Sequence, residues 1–387
     1  MAAFDTAHPA DSVEFCPRPG QQDILVCGTY QLHQSGSPQP PTCDDDLANT
    51  APQLRTGKCL LFRATGSELS LLHETALPAV LDMKWCHREP SLPALLGIAD
   101  SEGGVSLHEL SDDGTQLRRL QSVACTKTHT LCLSLDWSNR RNETSSVLST
   151  PMYTSLPDIA RRTIFSGLGN LIVSLSDGSL ALLRADDQSG LVVSDTWAAH
   201  DYEPWISAWN YWDTNVVYSG GDDLMMKGWD IREDFSRPIF TNKRFDAGVT
   251  TIQSHPYIEH LIAVGSYDNT VRLFDTRRPL TPLTEADVGG GAWRVKWHPS
   301  PERKRDLLVA CMHDGFKIIR FGLDLPDFSD ETSTYRVEGE LWGVVKRFDE
   351  HQSLAYGVDW SFGDGGAEDT LIASCSFYDH TLRTWRG

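Results

Sequence analysis

Between Gly265 and Asp275 the chain reads GSYDNTVRLFD, with Val271 and Leu273 alternating against Arg272 and Phe274. Period two predicts a strand with two distinct faces, entered from a tight turn at Tyr267-Asp268-Asn269. Asp and Asn suit that turn because their side chains bond nearby backbone amides and tolerate unusual dihedrals. The hairpin recurs. SLSDGSLALL (174–183), SGGDDLMMKGWD (219–230), ACMHDGFKIIRF (310–321) and SFYDHTLRTW (376–385) repeat it. The turn aspartates Asp177, Asp223, Asp268 and Asp314 fall 46, 45 and 46 residues apart.

A second piece precedes each hairpin, an apolar strand ending in an aromatic or His-Pro turn. It is seen as AVLDMKWCH, LCLSLDWS, WISAWNYW, GVTTIQSHP, GAWRVKWHP and AYGVDWS, with a weaker SVEFCP near the start. Seven units result, none able to bury both faces alone. A period of about 40–45 residues, four strands per unit and an aromatic-Asp close predict propeller blades. The chain resembles the WD-repeat family over its whole length, and the expected fold is an all-β, seven-bladed WD-repeat β-propeller in a single domain. The blades fall at about 11–70, 76–120, 128–195, 200–243, 244–286, 288–345 and 350–387.

The last unit stops at Trp385-Arg386-Gly387, after its third strand, which would leave an open sheet edge. The unassigned segment 3–7 is therefore expected to supply the outer strand of the last blade. Insertions at 35–56 and 139–162 are expected to be mobile loops, and 325–340 extends blade six.

Charge narrows the partners. Lys plus Arg number 34 against 53 for Asp plus Glu, a formal net charge of −19, which gives no generic affinity for a phosphate backbone. No direct nucleic-acid binding is expected; the acidity either draws a cationic partner or substrate or simply aids solubility. Nine cysteines without a CxxC pair suggest a reducing compartment, and no run approaches the length of a membrane span. The expected setting is cytoplasmic, and the expected state a monomer.

No P-loop, GxGxxG, GxSxG or HExxH motif is present. Attention falls on the turns that open around one mouth of the channel. The residues preceding the turn aspartates include Asp222, Tyr267, His313 and Tyr378, and the loops entering the inner strands add Trp205, Trp293, Arg294 and Tyr356. The strand tryptophans Trp85, Trp137, Trp297 and Trp360 read as core. Ring faces beside carboxylates suit a quaternary ammonium ion, each face contributing roughly 0.5–2 kcal/mol when desolvated. Tyr267, Tyr378, Trp205, Trp293 and Tyr356 are the candidate ring faces, and Asp222 or Asp223 the opposite charge.

Taken in order, CGTYQL, MKWCH, WISAWNYWDTNVVYSGGDDLMMKGWD, IAVGSYDNTVRLFDTR, CMHDGFK and CSFYDH resemble the diphthine methylesterase family of WD-repeat proteins. The resemblance implies hydrolysis of the methyl ester on the modified histidine of translation elongation factor 2, a step of diphthamide biosynthesis, with no cofactor. Diphthine carries a trimethylammonium group, matching the cation inferred above. Ester hydrolysis needs a proton acceptor and an oxyanion donor. His313 is the first candidate base, with a hydrogen-bonded turn residue as its bland alternative, and His380 is the second. Arg294 or a backbone amide is the candidate oxyanion donor. His200 reads as structural; Ser376 or Cys375 is a candidate nucleophile, set against the fact that both lie in a strand, where such side chains are more often buried. A non-catalytic WD-repeat scaffold binding the elongation factor or another protein remains the competing reading.

Overall fold

A computed structural model describes residues 1–33, 53–65, 68–126, 130–141, 164–186, 188–322, 341–363 and 369–387. The insertions expected at 35–56, 139–162 and 325–340 lie outside these residues apart from their ends. The described residues form seven antiparallel sheets, a β-propeller of seven blades. Six sheets have four strands; blade one has five, because Gln31–Leu32 pairs with Arg55–Thr65.

The innermost strands are Ala10–Phe15, Val80–Cys86, Cys132–Trp137, Ile206–Trp209, Val249–Ser254, Arg294–Trp297 and Ala355–Trp360. Each touches the next, and the last returns to the first, so the ring is closed. The seam is sealed as expected, by a strand that runs from Ala2 to Asp5 and stops short of Ala7. Ala2–Asp5 pairs antiparallel with Thr381–Arg386, and Phe4 packs edge-on against Phe62 of blade one at 4.9 Å. The N-terminal segment thus belongs to blade seven by hydrogen bonding and grips blade one by its ring.

Two kinds of stitch join neighbouring inner strands. Tryptophan indoles reach back: Trp137 donates to the Lys84 carbonyl at 2.9 Å, Trp209 to Asp136 at 3.0 Å and Trp360 to Lys296 at 2.9 Å. Carboxylates reach forward. Asp82 accepts from the Leu135 amide at 3.1 Å, Asp136 from Trp209 at 2.9 Å and Asp359 from Phe15 at 2.8 Å. Buried acids are costly unless paired, and the channel supplies the cations. Lys84 meets Asp82 at 2.6 Å and Glu14 at 3.0 Å, Lys296 bridges Glu14 and Asp359, and Arg294 lies 3.4 Å from Asp82. The acid-aromatic strand endings in the sequence are therefore inter-blade ties as well as core.

Between strands, His200 of blade four accepts or donates at both ring nitrogens, to Asp223 at 2.8 Å and Ser219 at 2.7 Å, while the Trp229 indole donates to Ser219 at 2.9 Å. Blade seven repeats the device with His351, Ser374 and Trp385.

Candidate functional site

The channel mouth is shaped by irregularities where the inner strands begin. Register shifts fall between Ala10 and Ser12, Val80 and Asp82, Cys132 and Ser134, Val249 and Thr251, and Ala355 and Val358. Such bulges turn a side chain out of the normal alternation. The residues within these shifts are Asp11, Leu81, Leu133, Thr250, Tyr356 and Gly357, with Asp11 the one acid. In blades four and six the strands instead begin directly after Trp205 and Trp293.

These elements gather an arc of rings. Trp205 lies 5.7 Å from Trp293 and 6.5 Å from Tyr267, and Tyr267 is 5.8 Å from Trp293. Trp293 continues to Tyr356 at 4.9 Å, Tyr356 to Phe377 at 4.9 Å, and Phe377 to Tyr378 at 5.0 Å and Tyr30 at 6.2 Å. The arc runs from blade four through blades five, six and seven to blade one. None of Trp205, Tyr267, Trp293, Tyr356 and Phe377 is fully buried, and Tyr378 is exposed. The Trp205 indole donates to Asp222 at 2.7 Å, which holds a carboxylate at one end. Gly248 makes this possible, because a Cβ there would run into the Asp222 carboxylate and crowd the Tyr267 ring. The Trp293 indole nitrogen is buried without an acceptor among the described residues.

Electrostatics follow from burial. Desolvation raises the Asp222 carboxyl, against the lowering effect of the Trp205 donor. It also raises the phenols of Tyr267 and Tyr356, and the charge of Asp11 raises both further. Asp11 itself is 7% exposed and accepts no hydrogen bond among the described residues. Burial pushes its carboxyl up to about 8, with Arg294 opposing and Asp82 adding to the rise.

The structure brings together Trp205, Tyr267, Trp293, Tyr356, Tyr378 and Asp222. Others of the expected residues stand elsewhere. Asp223 is tied inside blade four, accepting from His200 and pairing with Lys227 at 3.4 Å, so its charge is already matched. Arg294 is buried in the channel opposite Asp82. His313 is exposed on a cleft between blades six and seven that Tyr378 of the arc also lines, with Asp314, Arg347 and Asp349, and among the described residues no ring contact joins it to the arc. His380 sits in a left-handed turn (φ 54°) whose carbonyl accepts from Thr6 of the N-terminal strand at 2.8 Å.

The neighbouring Ser376, His351 and Asp379 have the composition of a hydrolase triad, with His351 Nδ1 2.5 Å from Ser376 Oγ. Ser376 is fully buried and donates to Asp379, and blade four carries a similar His–Asp–Ser–Trp set, so the grouping is a blade tie. Cys375 is likewise fully buried. Sequence reasoning missed Asp11 and Phe377. Phe377 follows the strand Leu371–Ser376 beside the expected Tyr378. Asp11 gives no signal in ADSVEF, because only the register shift removes it from the strand's alternation.

A closed seven-bladed ring with His–Asp–Ser–Trp ties defines a WD-repeat propeller. A chain in a crystal structure of the mitotic checkpoint complex has the same fold, with a TM-score of 0.64 at 15% identity over 100% of this chain and 93% of that one. No family model matches the sequence. Curated relatives do. Diphthine methyltransferase of Mus musculus is 38% identical over 94% of this chain and 69% of its own length. The Homo sapiens protein of that name is 37% identical over 94% and 74%, and the Dictyostelium discoideum homolog 32% over 98% and 96%. The chain belongs to the diphthine methyltransferase family, an enzyme family of the diphthamide pathway.

Proposed function

We propose that the protein is a carboxylic ester hydrolase that removes the methyl group from diphthine methyl ester on the modified histidine of translation elongation factor 2, giving diphthine. The observation that carries this reading is the arc of rings at the channel mouth, bounded by Asp222 at one end. A trimethylammonium group is a cation without hydrogen-bond donors, so ring faces and a nearby carboxylate bind it where ordinary polar groups cannot. Relatives named diphthine methyltransferase support diphthine as the group recognised.

Those names specify methyl transfer, and the two reactions differ in what they consume. Hydrolysis needs only water; transfer needs a methyl donor. Purified protein is incubated with methylated elongation factor 2, without and with an added methyl donor. Hydrolysis is expected to lower the mass of the histidine peptide by one methylene and to release methanol without donor. An unchanged mass at stoichiometric protein, with the factor still bound, would favour the scaffold reading. A mass gain that requires donor would favour transfer.

A further inference from the structure

We infer that Asp11 is the general base of the reaction, acting from the inner strand next to the one that presents Tyr356. The inference deepens the hydrolase reading and rests on it. Its ground is three observations of geometry and one of charge. The bulge at Ala10–Ser12 removes Asp11 from the pairing that would carry it along the strand. It is buried, and its carboxylate is left without a hydrogen-bond donor among the described residues, unlike Asp82, Asp136 and Asp359, which each accept a neighbouring amide. It acts electrostatically on Tyr267 and Tyr356, two members of the arc. The adjoining inner strand, Ala355–Trp360, presents Tyr356 from a corresponding bulge.

The charged and titratable groups around it come from every adjoining blade. Asp82 of blade two disfavours its charge, and Arg294 of blade six favours it but already faces Asp82 at 3.4 Å. Tyr267 of blade five and Tyr356 of blade seven are neutral phenols raised by burial, and Cys27 of blade one is a buried thiol raised by its contact with Cys375. With these partners the carboxyl holds its proton to about pH 8 in the free protein. A fixed cation settling on the arc favours the carboxylate and releases that proton. An acid tuned toward neutrality by burial, then ionised by its own substrate, is suited to general base catalysis.

The step balances as follows. The Asp11 carboxylate takes a proton from a water molecule while the water oxygen bonds to the ester carbonyl carbon, forming a tetrahedral oxyanion. Collapse restores the carbonyl and breaks the bond to the methoxy oxygen. That oxygen takes the proton from Asp11 and leaves as methanol. The product carboxylic acid ionises to solvent, and Asp11 ends as it began.

The test compares wild type with Asp11→Asn and His313→Ala, using methylated elongation factor 2 as substrate and tetramethylammonium as the binding probe. Asparagine matches the neutral acid in shape, so the fold is expected to persist, checked by an unchanged melting curve near neutral pH. Asp11→Asn is expected to lower kcat by about 10²–10⁴. In wild type kcat/KM should rise with pH toward a limb near 8, with the limb in kcat displaced to lower pH, and both limbs should vanish in the variant. Tetramethylammonium binding near pH 7 should release a proton from wild type and none from Asp11→Asn, read by calorimetry in buffers of different ionisation enthalpy. Asp11→Asn with turnover within about threefold of wild type overturns the assignment, as does cation binding without proton release. Loss of turnover in His313→Ala with an active Asp11→Asn transfers the role to His313. A wild type that releases no methanol overturns the hydrolase reading itself, and the base assignment with it.

Discussion

Lys296→Met tests whether the channel charges hold the inner ring together. Lys296 Nζ contacts Glu14 of blade one and lies 3.4 Å from Asp359 of blade seven, and the three side chains are 4%, 5% and 6% exposed. Water therefore screens them little, and at an effective dielectric near 20 a contact of this length is worth about 5 kcal/mol before desolvation. Burial alone would raise the Glu14 carboxyl, but Lys296 and Lys84 outweigh it and hold it down at about 2. Burial keeps Asp359 up at about 6 even with Lys296 beside it. Methionine fills the space but not the charge, leaving Lys84 as the near cation for Glu14 and Asp359 with the Phe15 amide and the weaker pull of Arg140. Removing one partner of a buried pair typically costs about 3–5 kcal/mol.

The sign of the pH dependence follows. In wild type the lowered Glu14 contributes stability above its unfolded value, lost only as pH falls toward 2. In wild type Asp359 already stands above its unfolded value; in the variant it rises further and Glu14 loses its larger stabilising cation, so the folded variant takes up more protons than folded wild type as pH falls. Its stability then recovers as pH falls. Urea denaturation should show the full loss at about pH 7.5 and a gap narrowed by about 1–2 kcal/mol at about pH 5. A loss under about 1 kcal/mol at the higher pH, or an equal loss at both, would refute the reasoning.

The seam gives another test: Phe4→Ala should lower stability by about 1–3 kcal/mol through lost contact with Phe62, and an unchanged melting temperature would argue against closure by the N-terminal strand. His200→Ala, which leaves Asp223 and Ser219 without their shared partner, should cost about 2–4 kcal/mol in denaturant, whereas His313→Ala at an exposed site should stay within about 0.5 kcal/mol of wild type. Trp293→Ala breaks the arc at its centre and should weaken tetramethylammonium binding about 10-fold, read by titration; equal affinity would remove the arc from cation recognition.

The blades were legible because a hairpin's signals are local. GSYDNTVRLFD carries its alternation and its turn chemistry within eleven residues, and repetition at a near-constant spacing multiplies that signal. The missing last strand was legible too, since an unpaired edge needs a partner and one segment was unassigned. The ring residues at the mouth could be named because each follows from its place in the repeat. Which of them meet could not. Trp205, Trp293 and Tyr356 come from three blades, and their contacts depend on how the ring closes. Asp222 and Asp223 are adjacent and alike in sequence, yet one faces Trp205 and the other is held by His200, a division made by the direction of each side chain at the turn. Asp11 shows the limit most clearly. Its burial, its want of a donor and its raised carboxyl arise from a one-residue register shift and from Asp82 and Arg294, residues 71 and 283 positions away in the chain. A strand's period is written in the order of its residues; the field inside a channel is set by side chains that only closure of the ring brings together.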